Sequence, residues 1–192
     1  MIPDLKNLNK KIKILHLVPN PYGGGVESAA KSFLNYDCSE FNFEVFFLKD
    51  KKNQNSLKSY FNSFVKVKAI NPDIILTSLW KSNFVTLIFK TIKFDNKCIL
   101  FLHSTNNKHF IDGIFTTFTA LIAHEIWADS KETLIKRIDS LYINKFLKKH
   151  LLNKCEKRII SFLIKKEKPL KNKKCKPDFI YWGRLCPNKK ID

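Results

Sequence analysis

The chain reads as an α/β protein with a doubly wound, Rossmann-like parallel sheet, and three observations predict this. Short apolar runs of strand length alternate with segments of helical periodicity. The first run, Ile12–Val18 (IKILHLV), is almost continuously apolar, the pattern of a parallel strand buried on both faces. Three consecutive glycines, Gly23, Gly24 and Gly25, separate that run from a helical stripe.

Each element can be justified in turn. Residues 1–10 are polar and read as a lead-in. Pro19 and Pro21 end the first strand, because proline cannot donate to a sheet ladder. From Val26 a helix is expected, with Ala29, Ala30, Phe33 and Leu34 on one stripe. Phe41–Leu48 (FNFEVFFL) reads as a second strand, and Leu57, Phe61, Phe64 and Val65 recur at helical spacing. Asn71-Pro72-Asp73 is turn chemistry ahead of a third strand, Ile74–Leu76. Trp80–Ile92 suits a helix with Phe84, Leu87 and Ile88 inward, and Cys98–Leu102 suits a fourth strand that stops at His103. The polar segment HSTNNKHF then leads into a buried helix over Ile111–Ala123. Glu125–Ala128 is a short fifth strand, and Ser130 is a good N-cap for a helix through Leu141. Lys157–Leu163 offers one more strand.

Composition narrows the function classes. With 192 residues the chain has room for one domain with a real core, not for two full α/β domains. A hydrophobic fraction of 44% with 17 Phe argues for a folded protein. The net charge of +18 predicts attraction to anionic partners: phosphorylated ligands, anionic lipid or nucleic acid. Between Lys145 and Lys176 there are thirteen Lys/Arg against two Glu, and Lys165–Lys176 reads as a basic linker. The basic residues are scattered and form no recognised nucleic-acid motif, so nucleic acid is not the expected partner. The five cysteines (Cys38, Cys98, Cys155, Cys175, Cys186) include no C-x-x-C pair, which gives neither a zinc site nor a disulfide framework. There is no signal-peptide layout and no apolar run near the ~20 residues that span a bilayer, so a cytoplasmic protein is expected, with peripheral contact to anionic membrane.

The candidate site follows from the fold. Parallel sheets of this kind bind ligands outside the carboxyl ends of their strands, the edge that would hold Gly23–Gly25, Ser78, His103 and Asp129. The glycine turn ahead of a helix aims N–H groups and a positive dipole end at one point, which suits a phosphate. His103 is a candidate on the ligand edge; Asn106 and His109 follow it in the polar loop, His109 also suiting a helix cap. His16, inside an apolar strand, reads as core. Glu27 suits the first turn of its helix, Asp129 and Ser130 suit capping, and Trp80 and Trp127 suit core or cleft wall.

Five segments occur in the order and spacing of one family: KILHLVPNPYGGGVES, PDIILTSLW, HSTNNKHF, EIWADSKET and YWGRLCPNKKID. Together they resemble the N-terminal half of a family 4, GT-B type glycosyltransferase. The resemblance implies a Rossmann-like acceptor-side domain over 11–163, a linker over 164–176, and the start of a donor-binding domain over 177–192. It implies transfer of a sugar from a nucleotide-diphosphate sugar, with retention and usually without a metal, to a glycan or lipid-linked acceptor in cell-surface polysaccharide synthesis. By position, Gly23, Gly24 and Gly25 match the loop near the donor phosphates, and His103 matches the histidine near the reacting sugar. Ser78, Asn106 and His109 fall on the acceptor side. Arg184 and Lys189 match the pair that holds the diphosphate, where fixed cations offset charge on the leaving group. Lys190 stands where the family has glycine, and the family's Glu-x7-Glu pair has no counterpart. The resemblance therefore implies a truncated chain, inactive by itself.

Two other readings compete. Gly23-x-Gly25-x-x-Ser28 approaches a dinucleotide fingerprint, with Asp50 placed to bind a ribose, but it lacks the third glycine. A basic module for membrane or nucleic acid rests on charge alone.

Overall fold

The computed structural model describes residues 11–22, 24–34, 39–48, 57–93, 95–154 and 158–160. Strand and helix alternate through β1 (Ile12–Val18), α1 (Gly25–Lys31), β2 (Phe41–Phe47), α2 (Leu57–Ile70), β3 (Ile74–Ser78) and α3 (Trp80–Ile92). They continue through β4 (Lys97–Leu102), α4 (Phe110–Ile122), β5 (Glu125–Ala128), α5 (Lys131–Asp139), α6 (Lys145–Lys154) and β6 (Arg158–Ile159). The strands form one six-stranded sheet in the order β2-β1-β3-β4-β5-β6, and every pairing is parallel. The fold is the doubly wound α/β class that the alternation predicts.

The apolar first strand is an inner strand because both its faces are covered. Side chains alternate across a strand, so Leu15 and Leu17 point to one face and His16 and Val18 to the other. Leu15 and Leu17 pack with Phe64 and Val67 of α2 and Val85 and Phe89 of α3. Val18 packs with Ala30 of α1 and Val45 of β2 on the opposite face. A third cluster joins Leu100, Leu102, Ile126 and Ala128 of β4 and β5 to Ala120, Leu134, Ile138 and Leu151 of α4, α5 and α6. Cys98 is buried plain core, and burial pushes its thiol up to about 12.

Several boundaries differ from expectation for local reasons. Helix α1 stops at Lys31, and Ser32 closes it with a side-chain bond of 2.6 Å to the Ala29 carbonyl. Phe33 lies beyond the helix yet still packs on the cluster around Val18. Helix α5 ends at Asp139, where Ser140 Oγ donates to the Arg137 carbonyl at 2.8 Å. Helix α6 has no counterpart in the sequence reading, because its lysine-rich segment anchors to the core mainly through Leu151. Of the strand expected over 157–163, Arg158 and Ile159 pair with β5. The basic linker, the segment 177–192 and the positions Gly23, Cys38, Asp50, Arg184 and Lys189 lie outside the described residues.

Candidate functional site at the strand-order reversal

The sheet order reverses between β1 and β3: the chain leaves β1 toward β2 on one side and builds β3 to β6 on the other. Crevices form where such connections part, outside the carboxyl ends of the strands. A cavity of about 170 Å³ lies there. Its walls come from Pro19 and Asn20 after β1, Glu27 of α1, Trp80 and Lys81 at the start of α3, and His103 and Ser104 after β4. Lys108, Asp112 and Thr116 of the α4 region and Arg137 of α5 complete it. The volume is below the roughly 300–1,000 Å³ of pockets that enclose a drug-sized ligand, so it suits one ring or one polar group.

Local chemistry shapes each wall. Asn20 Oδ1 accepts from the Tyr22 N–H at 2.8 Å, an Asx turn that redirects the chain after β1. Leu79 joins β3 to α3 at φ 70° and ψ 154°, a conformation costing a non-glycine residue on the order of 1–3 kcal/mol. Ser78 just before it is buried, while Leu79 and Trp80 both line the cavity. Trp80 stacks on Phe115, and His109 meets the indole edge-on with centroids 5.2 Å apart.

Beneath the cavity lies a polar network. Arg137 Nη2 donates to Asp112 Oδ1 at 2.8 Å and to Thr116 Oγ1 at 3.1 Å. Asp112 Oδ2 also accepts from the Lys108 N–H at 2.8 Å. Thr77 Oγ1 donates to Asn83 Oδ1 at 3.0 Å, and Asn83 Nδ2 reaches Thr116 Oγ1 at 3.4 Å. Arg137 and Asp112 are both about 5% exposed, so this ion pair is shielded from water. Among the described residues, Arg137 Nη1 is buried without a hydrogen-bond partner.

A second polar chain crosses the sheet. His16 Nε2 lies 2.9 Å from Ser78 Oγ, and Ser78 Oγ lies 3.0 Å from His103 Nε2. His103 Nδ1 faces Asp129 Oδ2 at 4.0 Å. Burial lowers both imidazoles, His103 to about 4 and His16, which His103 also opposes, to about 3. Both are neutral near pH 7. Ser78 has one hydroxyl proton, so one imidazole must accept from it and the other donate to it.

The structure brings His103 and Ser78 together at the cavity, His103 in its wall and Ser78 behind it. His109 stands just outside, where its Nδ1 accepts from the Asp112 N–H at 3.1 Å as the cap of α4. Asn106 is exposed on the loop and does not line the cavity; its carbonyl accepts from Ser104 Oγ at 2.9 Å. Gly24 and Gly25 likewise do not line it. Gly24 is extended, at φ −119° and ψ 177°, and needs no glycine for its conformation. Among the described residues, a Cβ on Gly25 would meet nothing within 4 Å. Ser130 caps α5 as expected, accepting from the Thr133 N–H at 3.0 Å. Trp80 is cavity wall, while Trp127 is half-buried and donates from Nε1 to Glu125 at 2.8 Å.

Sequence reasoning passes over Arg137 and Asp112. The signal is present: one carboxylate stands in an otherwise apolar helix, and one arginine falls on the apolar stripe of Leu134, Ile138 and Leu141. Among the described residues no group of His, Cys, Asp or Glu is arranged to hold a metal ion, and no helix is long and apolar enough to cross a membrane.

No protein-family model matches the chain, and no curated protein matches it. Among solved structures it is similar to Anabaena Alr3699/HepE, solved in complex with UDP and glucose: 21% identity, TM-score 0.48, covering 67% of this chain and 41% of that one. It is also similar to the pyridoxal kinase of Staphylococcus aureus in complex with AMP-PCP and pyridoxal, at 11% identity and TM-score 0.49, covering 77% and 60%. The chain thus spans about two fifths of the length of the first and three fifths of the second. At these values neither likeness decides the chemistry, and the fold class rests on the strand order itself.

Proposed function

We propose that this chain is the acceptor-side domain of a retaining glycosyltransferase of the family 4, GT-B type. In this reading a sugar passes from a nucleotide-diphosphate sugar to a glycan or lipid-linked acceptor of cell-surface polysaccharide. The observation that carries it is the cavity at the strand-order reversal, bordered by the turn after β1 and holding His103 and Trp80. Five motifs in the family's order support it from the sequence side. The cavity's size suits one sugar ring, with Trp80 as an apolar wall and Asn20, Ser104 and Lys108 as polar contacts.

The residues divide the work by charge and protonation. With its pKa near 4, His103 is neutral at pH 7 and serves as a hydrogen-bonding wall for the reacting sugar, not as a cation. The leaving diphosphate needs fixed positive charge, which the resemblance assigns to Arg184 and Lys189, with Gly23–Gly25 giving close backbone approach. No metal enters this scheme.

Tryptophan fluorescence of the full chain tests the reading, with Trp80→Phe separating the cavity signal from the other tryptophans. Titration with nucleotide-diphosphate sugars and free UDP is expected to quench Trp80 with weak affinity, because the resemblance assigns most donor contacts to the other domain. Quenching by NAD and not by UDP would replace this reading with a dinucleotide-binding domain.

A further inference from the structure

Arg137 falls between Leu134 and Ile138 on the buried stripe of α5, and it lines the cavity. A guanidinium in such a place is costly unless its N–H groups are met by acceptors. Nη2 is met twice, by Asp112 Oδ1 and by Thr116 Oγ1. Nη1 is buried as well and, among the described residues, has no hydrogen-bond partner. The oxygens around it are already committed. Asp112 Oδ1 accepts from Thr116 Oγ1 at 3.3 Å in addition to Arg137, and Asp112 Oδ2 accepts from the Lys108 N–H. Thr116 gives its one proton to Asp112, while its lone pairs face Arg137 Nη2 and Asn83 Nδ2. Asn83 Oδ1 is taken by Thr77. The cavity, which Arg137, Asp112 and Thr116 all line, is where a further oxygen can enter.

The charge of the walls says which oxygen suits. Lys81, Lys108 and Arg137 line the cavity against Glu27 and Asp112, which leaves one positive charge. Asp112 fixes two of these cations to one place, holding the guanidinium by Oδ1 and the Lys108 backbone by Oδ2. A carboxylate brings one negative charge and makes short, charge-assisted bonds to a guanidinium N–H. A phosphate monoester brings nearly two at neutral pH and would leave the walls negative. A neutral hydroxyl would meet Nη1 and leave the excess lysine charge without a counterpart.

We propose that the cavity takes a sugar ring bearing a carboxylate, of the uronic acid class, with the carboxylate on Arg137 Nη1 and its charge offset by Lys108. The subsite stands on the cavity and on Arg137, not on any transfer reaction. One consequence does rest on the transferase reading: the sugar received on this side of the enzyme is then an acidic one.

Ligand-observed NMR titration of the full chain with glucuronate, glucose and inorganic phosphate, in the absence of nucleotide, tests it. Glucuronate is expected to bind about tenfold more tightly than glucose, the worth of one charge-assisted hydrogen bond. Asp112→Leu with Arg137→Met keeps the net charge of the walls and removes the donor, and should abolish that preference. Lys108→Gln keeps the backbone N–H on Asp112, and should weaken glucuronate about threefold while leaving glucose unchanged, a modest effect because Lys108 is exposed. Should the double variant fail to fold, Lys108→Gln carries the test. Equal binding of glucose and glucuronate would overturn the inference and leave Nη1 to an ordered water. So would a preference for glucuronate that survives the double variant, which would show diffuse charge only, or tighter binding of phosphate than of glucuronate. A failure of UDP to quench Trp80 would count against the transferase reading and leave this subsite standing.

Discussion

Ser78 Oγ stands 3.0 Å from His103 Nε2, the outer link of a buried chain that begins at His16 on the neighbouring strand. A single hydroxyl proton ties the tautomers of two imidazoles together and fixes the ring that forms part of the cavity wall. Ser78→Ala removes one bond from each histidine at a fully buried position. The expected cost is about 1–3 kcal/mol, the penalty of leaving buried polar groups under-satisfied. Urea denaturation measures it; an unchanged midpoint would show that the chain contributes nothing to stability.

The same chain predicts acid sensitivity. Both histidines sit below their ordinary 6.5, His103 at about 4 and His16 at about 3, because burial disfavours the charged form. The unfolded chain takes up these protons as pH falls through 6.5, whereas the folded chain does not until near 4. The stability they contribute is therefore complete above 6.5 and lost as pH falls toward 4. The slope is about 1.4 kcal/mol per pH unit for each histidine while only the unfolded form binds the proton. Denaturation midpoints followed downward from neutral pH should show this fall, and His16→Gln should flatten it. A flat profile in the parent chain would refute the assignment.

Arg137 and Asp112 make a different kind of contribution. Their ion pair is buried at 2.8 Å with Thr116 as a further acceptor, so removing one partner strands a charge. Asp112→Asn or Arg137→Met should each cost about 3–5 kcal/mol, whereas Asp112→Leu with Arg137→Met should recover most of the loss. Thermal melting of the three variants decides. A double variant no more stable than the singles would mean that the pair specifies the fold here.

How far the sequence carries can be seen residue by residue. The bounds of β1 and α3, the end of β4 before His103 and the Ser130 cap are legible because each is a local signal: an apolar run, a helical stripe, a capping side chain. The site edge is legible as well, since parallel strands deliver their carboxyl ends to one side whatever their order. The cavity's floor is not. Arg137 meets Asp112 across 25 positions, and His16 meets Ser78 across 62, so no local spacing encodes either. The order β2-β1-β3, which turns His16 from a core histidine into the root of the chain to His103, emerges only when the strands assemble. Helix α6 escapes detection for the opposite reason, because lysines at nearly every turn leave a faint apolar period.

Gly25 offers a test that separates folding from ligand approach. It opens α1, and among the described residues a Cβ there meets nothing within 4 Å, so packing among them does not require glycine at this position. Its place in a helix does not require glycine either, and alanine is favoured there by up to about 1 kcal/mol. What remains is the empty space itself, which matters only if something outside the chain comes close to the backbone. Gly25→Ala should therefore leave the thermal midpoint unchanged or slightly raised. Nucleotide-sugar binding, followed by quenching of Trp80, should fall about tenfold, and Gly25→Val should abolish it, as a methyl and then a branched side chain occupy the approach. Binding that survives Gly25→Val with full strength would place the phosphates elsewhere on the sheet edge and remove the glycine turn from the site.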